Sequence, residues 1–374
     1  MPAQELMDGI DVFVSRELAS GAEALDRSGE LPDGYWRKMG EFGLTALLVP
    51  EAFDGLAADT ETYCAALAKV AGACASSAWM LIGHSVVCAA ISALGSDAQK
   101  SRYLPRLARA ELVGGTLAMT ETGGGSNPAA VVAQARQEGN TIILDGGKFF
   151  ITQAGGADVY IVMARMPDTP GLSCLLVEKD DAGLSFGQRE HTLGLHGVQV
   201  REMHFDQCRL PSDRLLGVAG GGGAIMAVLG SAGVLAAGAA ALGMAEAAVQ
   251  QTRAFLEARI VAGQRLADIP AIRTRMVQMV LELEGARAWL GHGLDWLRNP
   301  RPGAPLPLWM AKVSLTRTAS RLIDECLGLH GAMGYSQALP LERWWRDARA
   351  FQIHWGNNEV LMDGAAQTLF APRP

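Results

Sequence analysis

The sequence predicts an α+β protein in which two helical regions flank one small β domain. Apolar residues recur at helical spacing before about residue 112 and again after about residue 219, whereas the segment between is rich in short β-type runs separated by Gly and Asp. A chain of 374 residues is also longer than a domain with a single hydrophobic core usually is, which predicts more than one domain. We therefore expect domains over 1–112, 113–218 and 219–374.

The first region contains two long stretches with helical periodicity, DVFVSRELASGAEALDRS and ETYCAALAKVAGACASSAWMLIGHSVVCAAISAL. The segment LLVPEAFDG lies between them, and its Pro50 and Gly55 are residues that interrupt helices. This pattern predicts a helical N-terminal domain whose helices are separated by one turn-rich segment.

The middle region contains TIILDGGKFFITQAGGADVYIVMAR, LSCLLVEK and REMHFDQCRL, which are short strand-like runs without intervening helices. That arrangement predicts a small antiparallel sheet or barrel. The last region returns to helical spacing, with Pro270 where a helix would begin and Asn299 followed by Pro300 where it would end.

An uncharged stretch over residues 216–245 raises the alternative of a membrane helix, because its length alone would permit a span. Much of it is Gly and Ala, however, and it contains no aromatic residue of the kind that marks membrane interfaces. We expect a buried, closely packed helix of a soluble protein instead.

The remaining bulk properties exclude several classes of function. A net charge of −7 gives no basis for a nucleic-acid partner. The six cysteines include no C-x-x-C pair, which favours buried free thiols in a reducing cytoplasm. No charged segment followed by an apolar one opens the chain, so a signal peptide is not expected.

Six stretches, in order, resemble the acyl-CoA dehydrogenase family. They are GEFGLTALLVPEAFDGL, DAQKSRYLPRLARAELVGGTLAMTETGGGSNPAA, GGKFFITQAGGADVYIVMAR, MHFDQCRLPSDRLLG, EARIVAGQRLADIPAIRTRM and LGLHGAMGYSQALPLERWWRDARAFQIHWGNNEV. The resemblance implies an N-terminal helical domain, a middle β domain and a C-terminal four-helix bundle, assembled as a homotetramer with FAD bound between the last two domains. It also implies oxidation of an acyl thioester, with an electron-transfer flavoprotein as electron acceptor.

The resemblance assigns one part of the FAD site to TETGGGSN and to FIT. In the first stretch, Thr120 and Ser126 would contact the flavin through a Gly-rich turn that allows close backbone approach. In the second, Phe150 would cover the flavin face and Thr152 would hydrogen-bond near its N5 atom. Three residues here differ from the family pattern, namely Thr122, Asn127 and Gln153.

The other part of the FAD site would come from a neighbouring subunit. Arg259, in EARIVAG, would reach the pyrophosphate, because a guanidinium binds phosphate through two hydrogen bonds. Gly331, in CLGLHGAMGY, would lie near the adenosine half. Three positions differ from the family pattern: Ala262 replaces a Phe, Gly328 replaces a Gln, and Ala332 replaces a Gly.

The largest departure lies where the family places its catalytic base. The typical stretch I-Y-E-G-T-x-E-I is replaced by IHWGNNEV, so Trp355 occupies the base position. Asn357 replaces a Thr that contacts FAD in the family, and Glu359 is retained as an FAD-site residue. An indole donates a hydrogen bond but accepts no proton, so Trp355 cannot act as a base. The alternative base position of the family corresponds to Gly233, followed by Val234.

Three histidines are candidates for a relocated base: His84, on a helix that lines the acyl pocket in the family, His196, and His354 beside Trp355. Three functions therefore stay open. The first is a dehydrogenase for an unusual thioester on CoA or on a carrier protein. The second is a non-catalytic subunit paired with a second dehydrogenase-like chain. The third is a flavin-dependent monooxygenase, which needs no carboxylate base and for which His84 would be suited.

Overall fold

The computed structural model describes residues 3–371. Its first region is helical, as predicted. The helices of this region are α1 (Ala3–Phe13), α2 (Ala19–Ser28), α3 (Tyr35–Glu41), α4 (Thr60–Ala73), α5 (Ala75–Leu94) and α6 (Asp97–Ala108). Two of them begin at side-chain caps: Asp59 accepts a hydrogen bond from the Thr62 amide at the start of α4, and Ser96 and Gln99 form a capping box at the start of α6.

The middle region forms one eight-stranded sheet. The strands are β1 (Gly114–Ala118), β2 (Gln134–Glu138), β3 (Thr141–Thr152), β4 (Val159–Arg165), β5 (Leu172–Glu178), β6 (Leu184–Arg189), β7 (Val200–Pro211) and β8 (Leu215–Leu216). Seven of them follow the order β6-β7-β3-β2-β4-β5-β8, and β1 pairs with β4 beside this path. Most pairs are antiparallel, as predicted, but β1 runs parallel to β4, and β2 meets β4 in a single parallel pair.

The last region is helical except for a short hairpin of β9 and β10. Helix α10 lies at its centre and packs against α8, α9 and α12. The elements are α7 (Ile225–Leu229), α8 (Ala236–Ala258), β9 (Ile260–Val261), β10 (Gln264–Arg265), α9 (Pro270–Arg298), α10 (Leu306–Leu329), α11 (Ala332–Tyr335), α12 (Leu341–Ile353) and α13 (Asn358–Leu369). Helix α8 also packs against α4, so one hydrophobic core joins the two helical regions. The predicted fold class is confirmed.

The uncharged stretch forms part of a helical segment over Gly222–Ala258, which includes a π-helical turn at Gly230–Leu235. This segment and α5 are long and apolar enough to cross a membrane, but 61% and 78% of their most apolar windows are buried within the protein. Close packing explains the glycines: a Cβ added to Gly243 would lie 2.0 Å from the carbonyl oxygen of Ala68 on α4. All six cysteines are buried free thiols, as predicted.

Candidate active site at the family base position

Trp355 and Gly233, the two residues that the family resemblance would place at its base positions, touch each other. Trp355 follows the end of α12 with a left-handed backbone (φ 54°), which turns its indole toward the π-helical segment before α8. A Cβ added to Gly233 would lie 2.9 Å from Cε3 and 3.3 Å from Cζ3 of Trp355. The indole therefore occupies the space that a side chain at position 233 would need.

An aromatic cluster links Trp355 to the β domain. The ring of Trp79, on α5, lies edge-on to Phe351, His354 and Trp355, with centroid distances of 4.9, 5.4 and 6.1 Å. The indole Nε1 of Trp79 donates a hydrogen bond of 3.1 Å to the Thr152 hydroxyl at the end of β3. The base position and the strand that would face the flavin are thus held in one packed unit.

The indole Nε1 of Trp355 is buried and has no hydrogen-bond partner within residues 3–371. It is a donor only, so it offers a hydrogen bond to an acceptor and cannot remove a proton. Neither Trp355 nor Gly233 therefore offers a group that accepts a proton.

Lys312, which the sequence analysis did not single out, supports the turn after Trp355. Its side chain is fully buried in α10, and its ammonium donates to the carbonyl of Gly356 and, at 2.9 Å, to Oδ1 of Asn358. Burial lowers the pKa of Lys312 to about 7. A single lysine in the apolar run PLWMAKVSLT was the sequence signal that was missed.

The sequence analysis also missed a buried ion pair between Glu121 and Lys148, in which Lys148 Nζ lies 2.7 Å from Glu121 Oε1. This pair joins the TETGGGSN loop to β3. The Glu121 carboxylate also accepts hydrogen bonds from the amides of Val132 and Ala133. Burial raises the pKa of Glu121, but these three donors outweigh it and hold the pKa below its ordinary value. The pair fixes the loop against the strand that carries the FIT residues.

The flavin-facing residues of the β domain leave an apolar surface uncovered. Phe150 has 56% of its surface exposed and a left-handed backbone (φ 54°), at an irregularity in the pairing of β3 with β7. Thr120 is half-buried, Ser126 is exposed, and the Thr120 carbonyl accepts a hydrogen bond from the Phe149 amide. A large exposed aromatic beside a Gly-rich loop fits the face of a planar ring system such as a flavin.

The other predicted FAD residues lie on the C-terminal helical region. Arg259 is exposed at the start of the β9–β10 hairpin, and its backbone bonds to Phe255 and Leu266. Its guanidinium forms no ion pair or hydrogen bond with any residue from 3 to 371, so this group is free for a phosphate. Gly331 is exposed with a φ of 59°. Asn357 caps α13 through the amide of Glu359, and the Glu359 carboxylate pairs with Arg317 at 3.0 Å.

Two of the three candidate histidines have structural roles instead. Both ring nitrogens of the fully buried His84 bond to the main chain, with Nε2 3.1 Å from the Thr45 carbonyl and Nδ1 accepting from the Gly114 amide at 3.0 Å. Burial lowers the pKa of His84 to about 4. These contacts correct the suggestion that His84 lines the acyl pocket as a base.

His196 joins the β domain to α2: its Nδ1 lies 3.1 Å from Oδ1 of Asp26, and its Nε2 lies 3.1 Å from the Thr192 carbonyl. His196 therefore contributes to the packing between the two domains, and these contacts also correct the hypothesis that it is a relocated base. His354 is exposed, next to Trp355, and its ring contacts Trp79.

The three-domain architecture, the exposed Phe150 of the β domain and the exposed Arg259, whose guanidinium has no partner within residues 3–371, fit one class of protein: an FAD flavoprotein with a β domain between two helical domains. Family models match the chain as the acyl-CoA dehydrogenase N-terminal domain over residues 2–111, middle domain over 116–208 and C-terminal domain over 220–370.

Known proteins give the same result. An acyl-CoA dehydrogenase of Bacillus subtilis is 33% identical over 352 residues, which cover 93% of this chain and 92% of that protein. The structure of butyryl-CoA dehydrogenase from Megasphaera elsdenii is similar with a TM-score of 0.92 at 27% identity, over 98% of this chain and 97% of the other. A prolyl acyl carrier protein oxidase is similar with a TM-score of 0.89 at 26% identity, over 98% of both chains.

The chain belongs to the acyl-CoA dehydrogenase family. It is accordingly an FAD flavoprotein. When bound, FAD supplies the hydride acceptor, and the residues described above would hold it: Phe150 and Thr152 at the ring system and Arg259 at a phosphate.

Proposed function

We propose that this chain is an FAD flavoprotein that binds an acyl thioester in a dehydrogenase-type site from which the proton-abstracting carboxylate has been lost. The observation that carries the proposal is the contact between Trp355 and Gly233. General-base catalysis requires a proton acceptor within hydrogen-bond reach of the substrate. An indole and a glycine offer none, and His84 and His196 are bonded elsewhere. The remaining candidate, His354, is exposed at the end of α12, where its ring packs against Trp79 and not into the contact between Trp355 and Gly233.

The thioester is carried either by CoA or by a carrier protein. Butyryl-CoA dehydrogenase and the prolyl acyl carrier protein oxidase are named for these two kinds of substrate, and both resemble this chain over nearly its whole length. An electron-transfer flavoprotein is the acceptor that family membership suggests. The buried free thiols are consistent with a reducing compartment such as the cytoplasm.

The experiment that tests the proposal is anaerobic mixing of the FAD-loaded chain with saturated straight-chain acyl-CoAs of several lengths. We expect the flavin absorbance to persist, because no group removes the α-proton. Bleaching at about 1 per second or faster, a rate typical of enzymes, would show that a working base exists and would overturn the proposal.

Restoring the family glutamate at one position should not restore activity. Trp355→Glu introduces a carboxylate but removes an indole that fills space between Gly233 and Trp79, so a cavity opens where the thioester should be held. We expect flavin reduction by acyl-CoA to stay far below enzymatic rates. Rapid reduction by this variant would show that the indole alone prevents catalysis.

A non-catalytic subunit in a mixed assembly is the second candidate. The fit between Trp355 and Gly233 favours it, because the two base positions have changed to residues that accommodate each other within an intact fold. Co-expression with a dehydrogenase-like chain that retains the glutamate tests it. A stable mixed complex that exceeds the activity of either chain alone would support it, and two separate elution peaks without added activity would remove it.

The monooxygenase alternative loses its main support. It depended on a histidine free to act beside the flavin, and both ring nitrogens of His84 are committed to main-chain hydrogen bonds. Reduction of FAD by a flavin reductase, followed by oxygen-dependent modification of an acyl thioester, is the observation that would revive it.

The protein should be an oligomer, either of identical chains or with a second chain. Helix α9 exposes Val277 and Leu281, with 60% and 62% of their surfaces accessible, which is unusual for apolar residues on the same helix of a soluble monomer. The Arg259 guanidinium, which has no partner within residues 3–371, is also suited to a neighbour's cofactor. Light scattering at micromolar concentration tests this, and a monomeric mass would contradict it.

A further inference from the structure

Helix α5 is bonded to the end of β3 through two consecutive residues of each element. The indole Nε1 of Trp79 donates a hydrogen bond of 3.1 Å to the Thr152 hydroxyl, and the side-chain amide of Gln153 donates to the sulfur of Met80 at 2.7 Å. All four residues are buried. The position of this strand end is therefore set by α5 as well as by the sheet.

The Thr152 hydroxyl has a hydrogen that no described residue accepts. A hydroxyl has one hydrogen to donate and two lone pairs that accept. Trp79 donates to one lone pair, and the Thr152 hydroxyl donates to no residue from 3 to 371. Thr152 is only 9% exposed, so solvent has little access to it, and a buried donor without an acceptor is unfavourable. The hydroxyl therefore favours a ligand that brings an acceptor.

The bond from Trp79 restricts the direction of that hydrogen. Threonine is β-branched, so its side chain has few favourable conformations. The indole N–H points at the hydroxyl oxygen and repels the hydroxyl hydrogen, which is therefore directed away from Trp79. A hydroxyl that accepts one hydrogen bond is also polarised and becomes a stronger donor in the next. Trp79 thus orients the Thr152 hydroxyl and strengthens it as a donor.

The indole of Trp79 is itself held in place on its other side. Its ring lies edge-on to Phe351, His354 and Trp355, with centroid distances of 4.9, 5.4 and 6.1 Å. These contacts come from the end of α12 and from the turn that follows it. An indole packed in this way keeps its N–H on the Thr152 hydroxyl.

The surface near this hydroxyl is the one that the proposed function assigns to the flavin. Phe150, two residues before Thr152, is 56% exposed, so the end of β3 borders an open apolar surface. A flavin ring system has nitrogen and carbonyl-oxygen acceptors along its edge. A ring bound at Phe150 would therefore bring the kind of acceptor that the Thr152 hydroxyl lacks.

We propose that Trp79 is a positioning residue for the flavin, which fixes the Thr152 hydroxyl so that its hydrogen is donated to an acceptor atom of the bound ring. Trp79 acts through Thr152 and not through contact with FAD. The proposal rests on the assignment of Phe150 and Thr152 to the flavin in the proposed function, and it does not depend on the loss of the base.

A double-mutant cycle tests the proposal, with FAD affinity from fluorescence titration and the visible absorbance band of the bound flavin as readouts. Thr152→Val removes the hydroxyl and should weaken FAD binding about fivefold, as expected for one hydrogen bond of about 1 kcal/mol. Trp79→Phe should weaken binding several-fold and shift the band in the wild-type background. In the Thr152→Val background it should do neither, because the hydroxyl through which it acts is absent. Thr152→Ser keeps the hydroxyl and should behave as wild type.

Trp344→Phe is the matched control. Trp344 is 5% exposed and its indole nitrogen has no partner within residues 3–371, so loss of this N–H should leave FAD affinity unchanged. Equal losses from Trp79→Phe in both backgrounds would show a packing role alone and would overturn the proposal, as would unchanged affinity and absorbance in Trp79→Phe. Unchanged affinity in Thr152→Val would overturn it together with the flavin assignment, whereas bleaching by acyl-CoA bears only on the missing base.

A measurement without any change at Trp79 decides the question if Trp79→Phe does not fold. In protein labelled with ¹⁵N-tryptophan, the indole N–H resonance that Thr152→Val displaces should be the one from Trp79. We expect the same resonance to shift in the wild-type protein when FAD is removed. If that resonance does not respond to FAD, Trp79 does not position a group that contacts the flavin, and the proposal is overturned.

Discussion

The indole of Trp355 lies directly against the backbone of Gly233, at a distance that leaves no room for a side chain there. The two residues belong to different elements, one after α12 and the other before α8. Their contact means that the indole at position 355 is sterically coupled to the absence of any side chain at position 233.

This coupling predicts the effect of Gly233→Ala. Alanine favours helices by about 1 kcal/mol over glycine, yet its Cβ would lie 2.9 Å from the indole, and overpacking costs about 1–3 kcal/mol. We expect a lower urea midpoint than wild type. Gly285→Ala, on α9 with nothing within 4 Å of the added Cβ, is the control and should be neutral or stabilising. Equal behaviour of the two variants would contradict the contact.

FAD should bind more weakly than is usual for the family. Ala262, Gly328 and Asn357 each replace a family side chain, and a Cβ added to Gly328 would meet nothing within 4 Å, so no neighbour fills the space. The changes at 328 and 357 each remove a family hydrogen bond, and Ala262 removes an aromatic packing contact; at about 1 kcal/mol each, the three losses sum to roughly a hundredfold in affinity. We expect extensive dialysis to remove much of the flavin, as followed by absorbance. Stoichiometric flavin after dialysis would be the contrary result.

Arg259→Gln should weaken FAD binding further. A charged hydrogen bond to phosphate contributes about 1.5–3 kcal/mol, so we expect a loss of tenfold or more in FAD affinity by fluorescence titration. Arg253→Gln is the matched control, since Arg253 is exposed on the same segment and pairs with Glu257 at 3.0 Å. If both variants bind FAD equally well, Arg259 does not contact the cofactor.

The ion pair of Glu121 and Lys148 should be important for folding of the β domain. Lys148→Met leaves a buried carboxylate without its counter-ion, which costs about 3–5 kcal/mol. Lys179→Met breaks a more exposed pair with Asp158, also at 2.7 Å, and should cost less than about 1 kcal/mol. Urea unfolding compares the two, and similar losses would show that burial of the first pair has no energetic consequence.

Asp347 should make stability depend on pH. Burial raises its pKa to about 6, although the Leu195 amide donates to it at 2.5 Å. A raised pKa in the folded state means that the contribution to stability is present at low pH and is lost as pH rises through about 6. Between pH 5 and 8, wild type should therefore lose about 1–2 kcal/mol relative to Asp347→Asn, whose amide oxygen still accepts the hydrogen bond. Parallel unfolding curves at the two pH values would contradict this.

Much of the fold followed from local patterns. Helical spacing predicted α4, α5 and α9, and the short runs of the middle region predicted the sheet, because periodicity reflects which face of an element is buried. The parallel pairing of β1 with β4 was not predicted, since register between distant strands leaves no mark in either one. The stretch IHWGNNEV led to the prediction that the usual base is absent, which the acyl-CoA mixing experiment tests.

The sequence by itself determined the fold class and the family, and it led to the prediction that the usual carboxylate is absent. Only the tertiary structure decided that Trp355 packs on Gly233, that His84 bonds to Thr45 and Gly114, and that Lys312 holds the turn at Gly356. The physical reason is that residue type and periodicity are local properties, whereas whether a side chain is free to act depends on partners that folding brings from distant parts of the chain.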